Sequence, residues 1–111
     1  MALKPITFLG DSLDRLCAFP EDARRNAGHE LYKVQRGLDP SDWKPMSTIG
    51  PGVREIRIRN FVGAYRIIYL ATFRDRVYVL NLFQKKSQKT PRREMDLAAD
   101  RLKLLRQGIH K

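Results

Sequence analysis

The sequence predicts an α+β fold on three observations. Two helical patterns precede residue 38, three β-type segments follow one another between Val53 and Phe83, and one more helical pattern comes after them. The links between the strands are too short for crossover helices, so the strands form an antiparallel meander. A chain of 111 residues, 42% hydrophobic and 31% charged, makes one domain spanning 1–111, with one core.

Ile6-Thr7-Phe8-Leu9 is a short β-type run closed by Gly10, and Asp11-Ser12 suits the cap of a brief helix through Leu13, Leu16 and Cys17. Phe19-Pro20 ends it, because a residue before proline is pushed out of the helical region. Pro20 then suits the first position of a second helix, with Glu21 and Asp22 at its positive end and Lys33 and Arg36 at its negative end. Ala23, Ala27, Leu31 and Val34 mark its buried stripe and Gly37 its stop. From Leu38 to Gly52, three prolines and two glycines forbid a long helix or a central strand, which predicts a loop pinned by Trp43.

In Val53–Arg59 the alternation sets Ile56 and Ile58 on one face and Glu55, Arg57 and Arg59 on the other. Asn60-Phe61-Val62-Gly63 is a short turn into Ala64–Phe73, which is apolar on both faces apart from Arg66. A cation on such a strand costs desolvation unless something answers it. That can be a structural carboxylate, with Glu55 on the neighbouring strand, or a ligand phosphate. Arg74-Asp75-Arg76 turns the chain into Val77–Phe83. Thr90-Pro91 then begins a helix whose stripe runs through Ala98, Leu102, Leu105 and Ile109.

Charge narrows the partners. Lys+Arg 22 against Asp+Glu 12 leaves a formal net charge of +10, a field that gathers RNA, DNA or acidic protein segments. Lys85, Lys86, Lys89, Arg92 and Arg93 crowd the start of the last helix, where the macrodipole favours anions, so that helix start is a candidate phosphate site. Cys17 stands alone, and free cysteine is most often a small buried hydrophobe. His29 and His110 are far apart with no second ligand type near them, so no metal or other cofactor is expected. His29 lies off its helix's stripe and reads as solvated. No apolar run approaches a membrane span, and Met1–Pro5 lacks the apolar region of a secretory signal, so the expectation is a cytoplasmic protein without a membrane partner.

Two strings carry a resemblance: Gly63-Ala64-Tyr65-Arg66, and Phe83-Gln84-Lys85-Lys86-Ser87-Gln88-Lys89-Thr90-Pro91. With Lys44-Pro45-Met46 and Val53–Ile58 before them, the chain from about Ile6 to Leu105 resembles the phage-derived HigB-like branch of the RelE/ParE toxins. The resemblance implies a RelE-like arrangement, with two N-terminal helices packed on one face of a small, mainly antiparallel sheet and a C-terminal helix at its edge. It also implies the toxin of a type II toxin–antitoxin system, a metal-independent endoribonuclease that cuts mRNA on the ribosome. Its implied partner is a helix-turn-helix (HigA-like) antitoxin.

Residue by residue, the resemblance puts Arg66 on the scissile phosphate, with Lys86, Lys85 and Arg57 as further basic positions. Glu55 stands where many RelE proteins carry a lysine, and the late tyrosine of many relatives is replaced by Lys89-Thr90-Pro91. Arginine keeps its proton. That leaves Glu55, or a lysine of lowered pKa such as Lys85 or Lys86, as base, and Lys86 or Tyr69 as acid. Lys44, Arg54, Arg59, Lys89, Arg92 and Arg93 complete the candidate nucleic-acid contacts. Two other readings stay open: a ParE-like DNA gyrase inhibitor without nuclease activity, and an inactive basic nucleic-acid-binding module.

Overall fold

The computed structural model describes residues 3–108. In chain order the elements are β1 (Ile6–Phe8), α1 (Ser12–Ala18), α2 (Glu21–Gln35), β2 (Trp43–Pro45), β3 (Val53–Arg59), β4 (Ala64–Phe73), β5 (Arg76–Lys85) and α3 (Arg92–Arg106). The sheet has five strands in the order β1-β5-β4-β3-β2. β2, β3, β4 and β5 pair antiparallel in turn, and β1 lies parallel to β5 with Ile6 opposite Val77.

This corrects the expected architecture at three points. The short β-type run read at Ile6–Leu9 is strand β1, which stands before the two helices that open the RelE-like arrangement and, lying parallel to β5, makes the sheet mixed. The loop after α2 contains an edge strand, β2, three residues long and ending on Pro45, as suits a residue with no N–H to give a ladder. Finally, α3 covers the second face of the sheet instead of sitting at its edge. The reason lies in β4, where Tyr65, Ile67 and Tyr69 point to one side and Ile68 and Leu70 to the other.

Both faces therefore need cover. On one side Leu16, Phe19, Ala23, Ala27, Leu31 and Val34 of α1, α2 and the link between them close over Ile56, Ile67, Tyr69 and Val79. On the other, Ala98, Leu102 and Leu105 of α3 close over Val53, Ile68, Leu70 and Leu80. At roughly 1.5–3 kcal/mol for each large apolar side chain buried, an edge-bound α3 would leave several such contributions unrealised. Ile109 and His110 lie outside the described residues.

Smaller expectations divide. Gly37 ends α2 at φ +80, a conformation glycine adopts without a Cβ penalty. Pro20 stands one position earlier than expected, as the extended residue before Glu21. Asp11 occupies the cap position of α1 but makes no cap hydrogen bond, because its carboxylate is taken by Arg15 and Arg101. Cys17 is exposed rather than buried. His29 is exposed, as its place off the stripe predicts. No helix among the described residues is long and apolar enough to cross a membrane.

Candidate functional site

The pairing of β3 with β4 sets Arg57 directly opposite Arg66, and Glu55 opposite Ile68. Residues two apart share a face, so Glu55 and Arg66 lie diagonally across the strand pair within reach of one another. The Arg66 Nε is 3.5 Å from Glu55 Oε1, with both side chains almost wholly buried, at 5% and 1% exposure. Lys44, opposite Glu55 on β2, brings its Nζ to 3.7 Å from the same oxygen. Thr90, in the connection just before α3, donates to Glu55 Oε2 at 3.4 Å. Arg66 also donates through Nη1 to the Tyr65 carbonyl at 3.1 Å.

These ionic contacts are long. Charge-assisted hydrogen bonds between nitrogen and carboxylate run near 2.7–2.9 Å. Among the described residues four buried side-chain atoms lack a hydrogen-bond partner, and Glu55 Oε1 and Arg66 Nε are two of them. Burial of the Arg66 guanidinium, reinforced by the neighbouring Arg57 and Arg59, lowers its pKa against the opposing pull of Glu55. The pair is thus close enough to attract and too far apart to satisfy either partner.

Above it lies an open cleft of about 520 Å³ lined by Arg59, Ala64, Arg66, Lys85, Lys86, Ser87 and Gln88. Four of these residues are cations and none is a carboxylate. Lys85 is half-buried, and that burial, together with the charge of Arg66, lowers its ammonium pKa. Lys86 also faces an adjoining hollow of about 390 Å³, which Arg15, Arg93, Glu94, Phe19 and Phe83 help to line.

The structure therefore brings together Arg66, Glu55, Lys44, Lys85, Lys86 and Arg59, and sets others apart. Arg57 shares the face, but Asp42 holds its guanidinium at 3.0 Å. Arg54 projects on the opposite face, where it stacks over Trp43 at 3.8 Å and pairs with Asp39 at 2.9 Å. Tyr69 belongs to that same far face; burial raises its phenol pKa against the pull of Arg54, and it is out of reach of the cleft as an acid. Arg92 is exposed and pairs along α3 with Asp96 at 3.9 Å. Lys89 is exposed in the connection from β5 to α3, and Arg93 lines the adjoining hollow.

Sequence reasoning missed a second polar cluster. Arg15 donates to Glu94 Oε1 at 2.7 Å and to Asn81 Oδ1 at 3.1 Å, and the Asn81 amide donates to the Glu94 carbonyl and carboxylate at 3.0 and 3.1 Å. Asp11 joins Arg15 to Arg101, which donates in turn to the Leu80 carbonyl at 2.9 Å. The visible signal was Asn81, a lone amide inside an apolar strand. It sits beside a bulge between Ile68 and Tyr69, where β5 carries an extra residue.

Over residues 14–103 the sequence matches the family described as Phage derived protein Gp49-like. No curated protein matches it.

Proposed function

The chain belongs to the Gp49-like phage-derived protein family, and from that premise we propose that it is a HigB-like toxin cutting mRNA on the ribosome. The family is one of RelE/HigB-like toxins associated with toxin–antitoxin systems, and such a toxin implies an antitoxin partner. In this reading the antitoxin is a helix-turn-helix (HigA-like) protein and the toxin works in the cytoplasm. The observation that carries the proposal is the buried, loosely paired Arg66 at the floor of a cleft lined by cations alone among its charged residues.

The reaction is attack of a ribose 2′-oxygen on the adjacent phosphorus. The bond to the 5′-oxygen of the next nucleotide breaks, leaving a 2′,3′-cyclic phosphate and a free 5′-hydroxyl. Negative charge grows on the phosphoryl oxygens, and Arg66, with Arg59 beside it, neutralises it from fixed positions. An oxygen of the phosphate also gives Arg66 Nε the short partner that Glu55 does not supply. The cations do without a metal the work that a metal does in other nucleases.

Lys85 takes the 2′-OH proton, since its lowered pKa gives more neutral amine than an ordinary lysine near pH 7. Lys86, at the mouth of the same cleft, protonates the departing 5′-oxygen. Glu55, at 1% exposure, lies beneath Arg66 and orients Arg66 and Lys44 rather than touching RNA.

The test is inducible expression of the wild type beside Arg66→Ala, with growth followed and mRNA 5′ ends mapped. The expected result is arrest with new in-frame cuts inside translated regions, lost in Arg66→Ala. Arrest with a DNA-damage response and no cuts would instead indicate gyrase inhibition, and a folded protein without arrest would indicate an inactive binder.

A further inference from the structure

The turn between β3 and β4 holds an aromatic ring in water. Phe61 is fully exposed at 108% and Val62 is exposed at 69%, in a protein whose other phenylalanines are buried or half-buried. The turn itself is well braced. The Asn60 Oδ1 accepts from the Val62 N–H at 2.9 Å and from the Gly63 N–H at 3.0 Å, and the Asn60 N–H donates to the Gly63 carbonyl at 3.0 Å. Gly63 also sits so close to Gln84 that a Cβ there would come within 2.9 Å of its amide.

Phe61 therefore stands out on a fixed support. It lines a second open cleft, of about 530 Å³, with Asp22, Arg25, Asn26, Arg59 and Asn60. Arg59 lines both this cleft and the cationic cleft above Arg66, so the two meet at that side chain. A basic track leading to an exposed aromatic is the arrangement by which proteins hold single-stranded nucleic acid: cations follow the phosphates and the ring takes a base.

Resting on the functional reading above, we propose that Phe61 is a stacking platform for an RNA base flanking the cut phosphate, with Arg59 guiding the backbone between the two clefts. Charge favours RNA over an apolar protein segment here, because five cations, Arg25, Arg59, Arg66, Lys85 and Lys86, line the two clefts against the single carboxylate of Asp22.

The experiment is fluorescence anisotropy of a short labelled oligouridylate with the wild type, Phe61→Ala, Phe61→Leu, Phe61→Trp and Arg59→Ala, each at several salt concentrations. Loss of one stacked base weakens binding by about tenfold. Phe61→Ala and Phe61→Leu should both show that loss with the salt slope unchanged, and Phe61→Trp should bind at least as tightly as the wild type. Arg59→Ala should instead reduce the slope by about one unit. Because Phe61 is wholly exposed, these variants fold as the wild type does, which circular dichroism checks. Phe61→Ala binding like the wild type overturns the proposal, as does full binding by Phe61→Leu, which would mark the tip as an apolar contact for a protein such as the antitoxin. If the wild type cuts mRNA while Phe61→Ala binds unchanged, the platform alone is wrong. A wild type that neither cuts mRNA nor binds the oligouridylate overturns both readings.

Discussion

Two polar clusters lie on the side of the sheet that α3 covers, built from similar groups and satisfied to different degrees. The cluster of Arg15, Asn81 and Glu94 closes on itself with contacts of 2.7–3.1 Å. The pair of Arg66 and Glu55 stands at 3.5 Å with an unpartnered atom on each side. A buried polar group left unmade costs about 1–3 kcal/mol, more when charged, so the second cluster stores a deficit that the first does not. The first ties elements together; the second leaves each partner short of a hydrogen bond.

Breaking the contrast at its open end should have the largest effect. Arg66→Ala is expected to reduce ribosome-dependent cleavage by about 10²–10³-fold, the scale for removing one preorganised donor to a developing oxyanion. Single-turnover cleavage on programmed ribosomes checks this. Glu94→Ala should act on the other quantity and lower folding stability by about 3 kcal/mol, the low end for breaking a buried pair, because Arg15 keeps some access to water. Urea unfolding measures it, with the cut pattern of the folded fraction unchanged.

A double replacement sharpens the difference. Removing both charges of the open pair with apolar side chains, Glu55→Leu with Arg66→Met, should leave stability within about 1 kcal/mol of the wild type or raise it, while cleavage is lost. A large drop in stability would show that the pair is structural. The pH profile adds a finer comparison. A base must be unprotonated, so cleavage should rise with pH through an inflection below the ordinary lysine value of 10.5, since Lys85 is lowered by burial and by Arg66. Lys85→Arg should remove that rise. The smallest effect is expected on the far face, where Arg54→Ala removes a stack on Trp43 and should cost about 0.5–1 kcal/mol with cleavage intact.

The open pair was the most legible part of the site. Arg66 interrupts an otherwise apolar strand, and desolvation alone demands an answering group; Glu55 on the next strand stands nearest, but at 3.5 Å it answers that demand only in part. The alternation of β3 likewise separates Arg54, which shares parity with Ile56 and Ile58, from Glu55, Arg57 and Arg59. Grouping Arg54 with the other cations overlooked that parity. Where β1 pairs was not legible, since a strand as short as Ile6-Thr7-Phe8 can join either edge of a sheet. The seat of α3 was hidden for another reason: a stripe of Ala98, Leu102 and Leu105 shows that the helix is covered but not which face covers it. The closed cluster depends on Arg15, Asn81 and Glu94, residues 66 and 13 positions apart that only the fold brings together.

The parallel pairing of β1 with β5 also bears on when this chain becomes a folded protein during its own synthesis. Ile6–Phe8 leaves the ribosome well before its backbone partners, Val77–Val79, which are made last among the strands. At about 5–20 residues per second, β1 waits on the order of 4–14 s for its neighbour. That edge of the sheet closes only once β5 has been translated, so α1, α2, β2, β3 and β4 all precede the pairing that completes it.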